Sequence, residues 1–222
     1  MSDIKVTDSH LTFLGKSYFR GGAPEIEIGS YGEKKTPITK TNYLEVQGKV
    51  PATKLKIKEC VTVDSNYAGT TEADLLANIN VFGVFKGSST TALKDLKEGK
   101  LKLIQLAVDN EDLESGTNDS PRVIQNLIDY GDDARIVDTL FLAVEASVAK
   151  SFEASKSIDL SVNAGVAKVS AEGGVSSSGS SSITLSKGSA FAYGLVKIKW
   201  DANQKKNKTK IVKLTDDQWS LS

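Results

Sequence analysis

Histidine and cysteine are almost missing from this 222-residue chain, which holds one of each, His10 and Cys60. A single cysteine excludes an internal disulfide. Cys60 sits in an alternating run, where it fits as a small apolar residue. One histidine and one cysteine cannot build the usual zinc site, so no metal is expected. A Ser-His-Asp arrangement would need His10, which lies in a terminal segment without a nucleophile motif near it. No dinucleotide fingerprint accompanies Gly165 or Gly173-Gly174, because no strand–helix context surrounds them. Gly15-Lys16-Ser17 resembles the end of a phosphate loop, but His10 stands where that loop needs its first glycine. The chain is therefore read as a non-enzyme without a cofactor.

Net charge is missing too: 28 basic residues balance 28 acidic ones, which disfavours a general nucleic-acid binder. The charge is nevertheless uneven. Nine acids stand between Asp109 and Asp138 against Arg122 and Arg135, and eight lysines between Lys187 and Lys213 against Asp201 alone. No apolar run approaches the roughly 18–20 residues of a spanning helix. The opening M-S-D-I-K-V-T-D-S-H has no signal-peptide pattern. These absences point to a cytoplasmic chain in a reducing compartment.

What is present is two-residue alternation, the mark of strands with unlike faces. Short strands fit at Glu25–Ile28 and Tyr43–Val50. Leu55, Ile57, Val61 and Val63 share one parity, broken once by Glu59. Leu75, Ala77, Ile79 and Val81 repeat the pattern, and the two runs suggest a first long hairpin over 55–85. Leu101–Val108 is a strand. Ser120-Pro121 opens a helix whose stripe is Val123, Ile124, Leu127 and Ile128, and Gly131 closes it. Ala134–Ala149 is a buried strand, and Phe191–Trp200 alternates again. A short strand at Ile211–Leu214 and an exposed Trp219 end the chain.

The stretch Ser155–Leu185 is unusual in its serine and glycine content. Ile158, Leu160, Val162, Ala164 and Val166 share one parity, whereas Val169 and Ala171 take the other, which predicts a bulge near Ala167. Glu172-Gly173-Gly174 is the expected turn of a second hairpin, with Ile183-Thr184-Leu185 on the return strand. The fold class expected is α+β: a twisted, mostly antiparallel sheet with two long amphipathic hairpins and a few short helices. Residues 1–201 read as one domain and 202–222 as a short basic, polar extension.

The element order resembles the pore-forming N-terminal domain of gasdermins over roughly 50–201. Three strings carry the likeness. G-S-S-T-T before L-K-L-I-Q-L-A-V-D is similar to that family's step out of its first hairpin. R-V-I-Q-N-L-I-D-Y-G-D-D-A-R-I-V-D-T-L-F-L-A-V-E-A resembles its helix–Gly-Asp–strand passage. S-I-T-L-S-K-G-S-A-F-A-Y-G-L-V-K-I-K-W-D resembles its closing strands.

The resemblance implies a cytoplasmic protomer that moves to acidic membranes, forms a homo-oligomer and inserts both hairpins. The inserting residues would be Leu55, Ile57, Val61, Val63, Leu75, Ala77, Ile79, Val81, Ile158, Leu160, Val162, Val166, Ile183 and Leu185. Lys54, Lys56, Lys58, Lys197 and Lys199 would meet acidic lipid headgroups. The residues by themselves leave a second reading open, a non-enzymatic assembly module that joins neighbouring subunits through the same hairpins.

Overall fold

The computed structural model describes residues 4–7, 9–38, 41–50, 54–62, 101–145, 158–163, 166–171, 181–185, 190–200 and 210–219. For 4–6, 54–62, 101–102, 143–145, 158–163, 166–171, 181–185 and 212 the description is of backbone alone. The described residues form a mostly antiparallel sheet with few helices, an α+β fold. Its strands are β1 (Ile4–Val6), β2 (His10–Phe13), β3 (Lys16–Phe19), β4 (Ser30–Lys35), β5 (Tyr43–Lys49), β6 (Lys54–Thr62) and β7 (Leu101–Val108). Two helices follow, α1 (Asn110–Asn118) and α2 (Pro121–Asp129). Then come β8 (Ala134–Glu145), β9 (Ile158–Asn163), β10 (Val166–Ala171), β11 (Ser181–Leu185), β12 (Ala190–Trp200) and β13 (Ile211–Asp217).

The main path through the sheet runs β1-β2-β3-β12-β8-β7-β6-β9-β10-β11. Two strands at its centre are shared. β8 pairs with β7 over Thr139–Glu145 and with β4 over Ala134–Ile136. β12 meets β3 at Tyr193 and β13 over Leu195–Trp200. Each central strand thus changes neighbour halfway along, and the two changes face each other across the β8–β12 pair.

That crossing point is marked by irregularity. Val137 pairs with Leu195 and Thr139 with Gly194, which leaves Asp138 unopposed as a bulge. A bulge inserts one residue and bends the strand, which suits a place where partners switch. Gly194 is required there. A Cβ on it would stand 2.8 Å from Asp138 Oδ1 and 2.9 Å from Thr139 Cβ.

One core lies on the helix side of the sheet. Leu113, Val123, Ile124 and Leu127 from the helices join Ile104, Leu106 and Val108 of β7 and Ile136, Leu140 and Leu142 of β8. The α2 stripe is the expected one, with Ile128 half-buried at its margin. Pro121 opens α2 as expected, but the Ser120 hydroxyl donates backwards to Gly116 O at 3.0 Å and does not cap the helix. Gly131, at φ 60°, begins the one-turn passage into β8. The opposite face of β7 and β8 is covered by the β2–β3 hairpin, where Phe13 and Tyr18 set ring edges against Phe141.

Several expectations are corrected. Glu25–Ile28 is not a strand: Ala23–Glu25 form a 3₁₀ turn, entered through Gly22 at φ 69°, and Ile26 and Ile28 are buried beyond it. Gly15-Lys16-Ser17 belongs to the β2–β3 hairpin. Leu14 and Gly15 have φ of 50° and 75°, the pair of positive angles that a two-residue type I′ turn requires. Residues 211–217 of the expected C-terminal extension are a strand of the domain's own sheet, because β13 pairs with β12 and α1 caps it. Glu114 Oε1 accepts the Leu214 N–H at 2.7 Å, and Asn118 Oδ1 accepts that of Ile211 at 2.8 Å. Trp219 is half-buried, its ring stacked on His10 with centroids 4.1 Å apart.

The crossing point yields a stability prediction. Gly194→Ala should cost about 1–3 kcal/mol, the usual penalty of overpacking, read as a lower urea midpoint with an unchanged slope. An unchanged midpoint would show that Asp138 does not crowd this position.

Candidate functional site

Two places attract functional attention. The first is a polar cleft of about 40 Å³ at the crossing point, lined by Lys16, Tyr18, Gln105, Asp138, Thr139, Gly194, Asp216, Asp217 and Gln218, among others. It has room for a few waters at most. Asp138 and Gln105 are both buried in it. The Gln105 amide donates to Tyr18 Oη at 3.3 Å, and Lys16 Nζ pairs with Asp216 at 2.5 Å near the rim. Burial pushes the Tyr18 hydroxyl up, against the opposing pull of Gln105 and Lys16. The Lys16 ammonium is also held up, chiefly by its hydrogen bond to Asp216.

Asp217 carries the electrostatics of this region. In the sheet register Arg135 stands opposite Lys197, and like charges placed directly opposite one another destabilise a sheet. The Asp217 carboxylate answers both. Its Oδ2 accepts from Arg135 Nε at 2.6 Å and Lys34 Nζ at 3.1 Å, and its Oδ1 lies 3.3 Å from Lys197 Nζ. The carboxylate is 4% exposed. Burial alone would raise its pKa, but the bond and charge of Arg135, with Lys34, outweigh that and hold it below the ordinary 3.8.

Two of the cleft's carboxylates are thus paired with cations, Asp216 with Lys16 and Asp217 with Arg135, Lys34 and Lys197. No group of three or more His, Cys, Asp or Glu that could hold a metal occurs among the described residues. His10 Nδ1 lies 2.9 Å from Thr7 Oγ1 and 3.0 Å from Ser9 Oγ.

The second place is the meander β9–β10–β11, where the expected second hairpin lies. Its connectivity differs from the expected one. β9 and β10 are antiparallel, with Asn163 opposite Val166 and Leu160 opposite Val169, so the parity change read as a bulge near Ala167 reflects the register of two separate strands. β10 then pairs with β11, with Ala171 opposite Ser181. The register sorts the residues into rows. Leu160, Val169 and Ile183 lie in one row and Val162, Ala167 and Leu185 in another. Between them run Ser161, Lys168 and Thr184, and beyond them Asp159, Ser170 and Ser182. Directly opposed residues share a face, so apolar and polar rows alternate over all three strands. Val166 leaves the apolar set because its partner is Asn163.

The first expected hairpin is described only on its first strand. β6 pairs with β7 along most of its length and with β9 at Lys54–Asp159 and Leu55–Ile158. Ile57 pairs with Leu106 and Glu59 with Gln105, leaving Lys58 unopposed. After this shift Cys60, and not Val61, comes into register with Ile104 in the line of Leu55 and Ile57. Glu59 is the residue whose misfit signalled it. Val63, Leu75, Ala77, Ile79 and Val81 lie outside the described residues. Lys54 and Lys56 are in β6, away from Lys197 and Lys199 on β12. Lys199 is exposed, whereas Lys197 is partly engaged by Asp217.

No protein-family model, curated protein or solved structure matches this chain. No helix among the described residues is long and apolar enough to cross a membrane, which leaves strands untouched as a means of crossing.

The Asp217 cluster has two measurable consequences. Asp217→Asn leaves three cations without their anion and should cost about 3–5 kcal/mol. The sign with pH follows from the lowered carboxyl: its contribution is fully present above about pH 4 and is lost as pH falls through the folded-state value. Urea midpoints between pH 7 and pH 2.5 should therefore fall steeply below pH 4 in the wild type and less so in Asp217→Asn. Parallel curves would remove Asp217 from the account.

Proposed function

We propose that this chain is a non-enzymatic pore-forming protein, which assembles on acidic membranes and inserts its amphipathic strands, as its resemblance to gasdermins implies. One observation carries the reading: the alternation of apolar and polar rows across β9, β10 and β11. A membrane strand needs an apolar face toward lipid and a polar face toward water, repeated at period two. Leu160, Val162, Ile183 and Leu185 supply the first, and Ser161, Lys168, Ser170 and Thr184 the second.

Strand length sets the form of the mechanism. β9 and β10 have six residues each, about 20 Å of strand at the usual rise, whereas a tilted spanning strand takes about 9–11 residues. Insertion therefore requires the meander to re-register into longer strands. The 155–185 segment is long enough for two of them around a turn at Glu172-Gly173-Gly174. Closure into a barrel with neighbouring copies would then satisfy the backbone groups in lipid. Lys54, Lys56, Lys58 and Lys199 carry the charge for headgroup contact, and Lys197 joins them when its bond to Asp217 opens.

A second reading, lipid-free assembly through the same strands, is favoured by the one-sided pairing of β11 among the described residues. Dye release from acidic liposomes separates the two. The wild type should release dye at micromolar protein, and Val162→Asp should abolish release without loss of the fold, because it puts a charge in an apolar row. No release by the wild type, with rings or filaments forming in buffer, would overturn the pore reading in favour of assembly.

A further inference from the structure

The sheet has four outer strands among the described residues: β1, β5, β11 and β13. Outer strands present unpaired backbone groups, and proteins protect them with charge, shortness or cover. Three of the four are protected. β1 has three residues, the middle one Lys5. β5 exposes Glu45, Gln47 and Lys49 in alternation, with Glu45 bridged to Lys35 and Lys49 to Glu27. β13 is covered by α1 through Glu114 and Asn118. β11, Ser181-Ser182-Ile183-Thr184-Leu185, has no charge and no proline, and pairs only with β10 among the described residues.

The sequence of that strand is also self-complementary. Laid antiparallel against a second copy about Ile183, it sets Ile183 opposite Ile183, Ser182 opposite Thr184, and Ser181 opposite Leu185. The three central rows of the meander then run on across the two-fold axis. Leu160, Val169 and Ile183 of one copy meet Ile183, Val169 and Leu160 of the other. The row through Ser170 and Ser182 meets that through Thr184 and Lys168. A slip of one residue would set apolar rows against polar ones, so the pattern excludes odd slips.

We propose that β11 pairs with β11 of a second copy, antiparallel and centred on Ile183, to give a two-fold dimer in which the two meanders are six consecutive strands of one continuous sheet. Such an isologous contact closes on itself and stops at two copies. It also occupies the edge that growth of a larger assembly would use. The inference goes beyond the pore reading and does not require it, because the dimer forms without lipid.

The test uses the full chain and the fact that Cys60 is its only cysteine. In a Cys60→Ser background, Ile183→Cys should cross-link to a dimer on mild oxidation, since directly opposed Cα atoms lie about 4.5–5.5 Å apart. Ser181→Cys should not, because the two copies of position 181 would be about 14 Å apart at four strand residues' separation, beyond the roughly 7 Å limit of a disulfide. Sedimentation of the unmodified chain should show a dimer. Ile183→Lys should weaken it by at least about tenfold, two lysines then being opposed, with circular dichroism unchanged. A wild-type monomer at 100-micromolar order, or cross-linking at 181 as readily as at 183, would overturn the proposal. Should Ile183→Lys fail to fold, the cross-linking pair still decides. Dimerisation and dye release are separate readouts, so either can fail alone.

Discussion

The antiparallel pairing of β8 with β12 is the constraint on which the rest of the structure depends. Each strand serves two neighbours in succession, and both changes occur at one level, where Asp138 bulges over Gly194. The bulge lies between the residues of β8 that pair with β4 and those that pair with β7. Without Gly194, the bulge would collide with β12. The arrangement also brings Arg135 opposite Lys197, and so creates the need for Asp217. A local departure from regular pairing therefore determines the electrostatics of a whole region.

This division gives the molecule two unlike parts. The body around β8 and β12 is dense, with Tyr193 buried and its hydroxyl donating to Gly21 O at 2.6 Å while accepting from the Leu44 N–H at 3.1 Å. Burial pushes that hydroxyl well above its ordinary range, against a smaller opposing effect of Leu44. The meander β9–β11 is joined to β6 by two residue pairs. A part bound by few pairs can change partners at little cost, whereas a part bound like β12 cannot. The proposed insertion draws on this contrast.

Much of the body was legible in the sequence. The α2 stripe, the strand after Gly131 and the strand over Phe191–Trp200 all appear where the sequence pattern puts them, α2 burying one face and the two strands burying both faces over Ala134–Leu142 and Ala190–Val196. The two failures of parity, at Glu59 and between Val166 and Val169, were visible as misfits. The first is a bulge at Lys58. The second is the register between two antiparallel strands, in which odd residues of β10 stand opposite even residues of β9. The Asp217 cluster was not legible. Its four members are far apart in the chain, and nothing in the local sequence of T-D-D-Q-W distinguishes a buried acid from the exposed Asp216 beside it. The cleft escaped for the same reason, since it is made where five strands meet and belongs to no motif.

The account's central claim is that the amphipathic strands work in a membrane. Electron microscopy of the protein with and without vesicles of acidic lipid tests it most directly. The account predicts rings embedded in the vesicle membrane and no rings in lipid-free buffer. Intact vesicles without embedded rings, at protein concentrations where rings or filaments form in buffer alone, would contradict it.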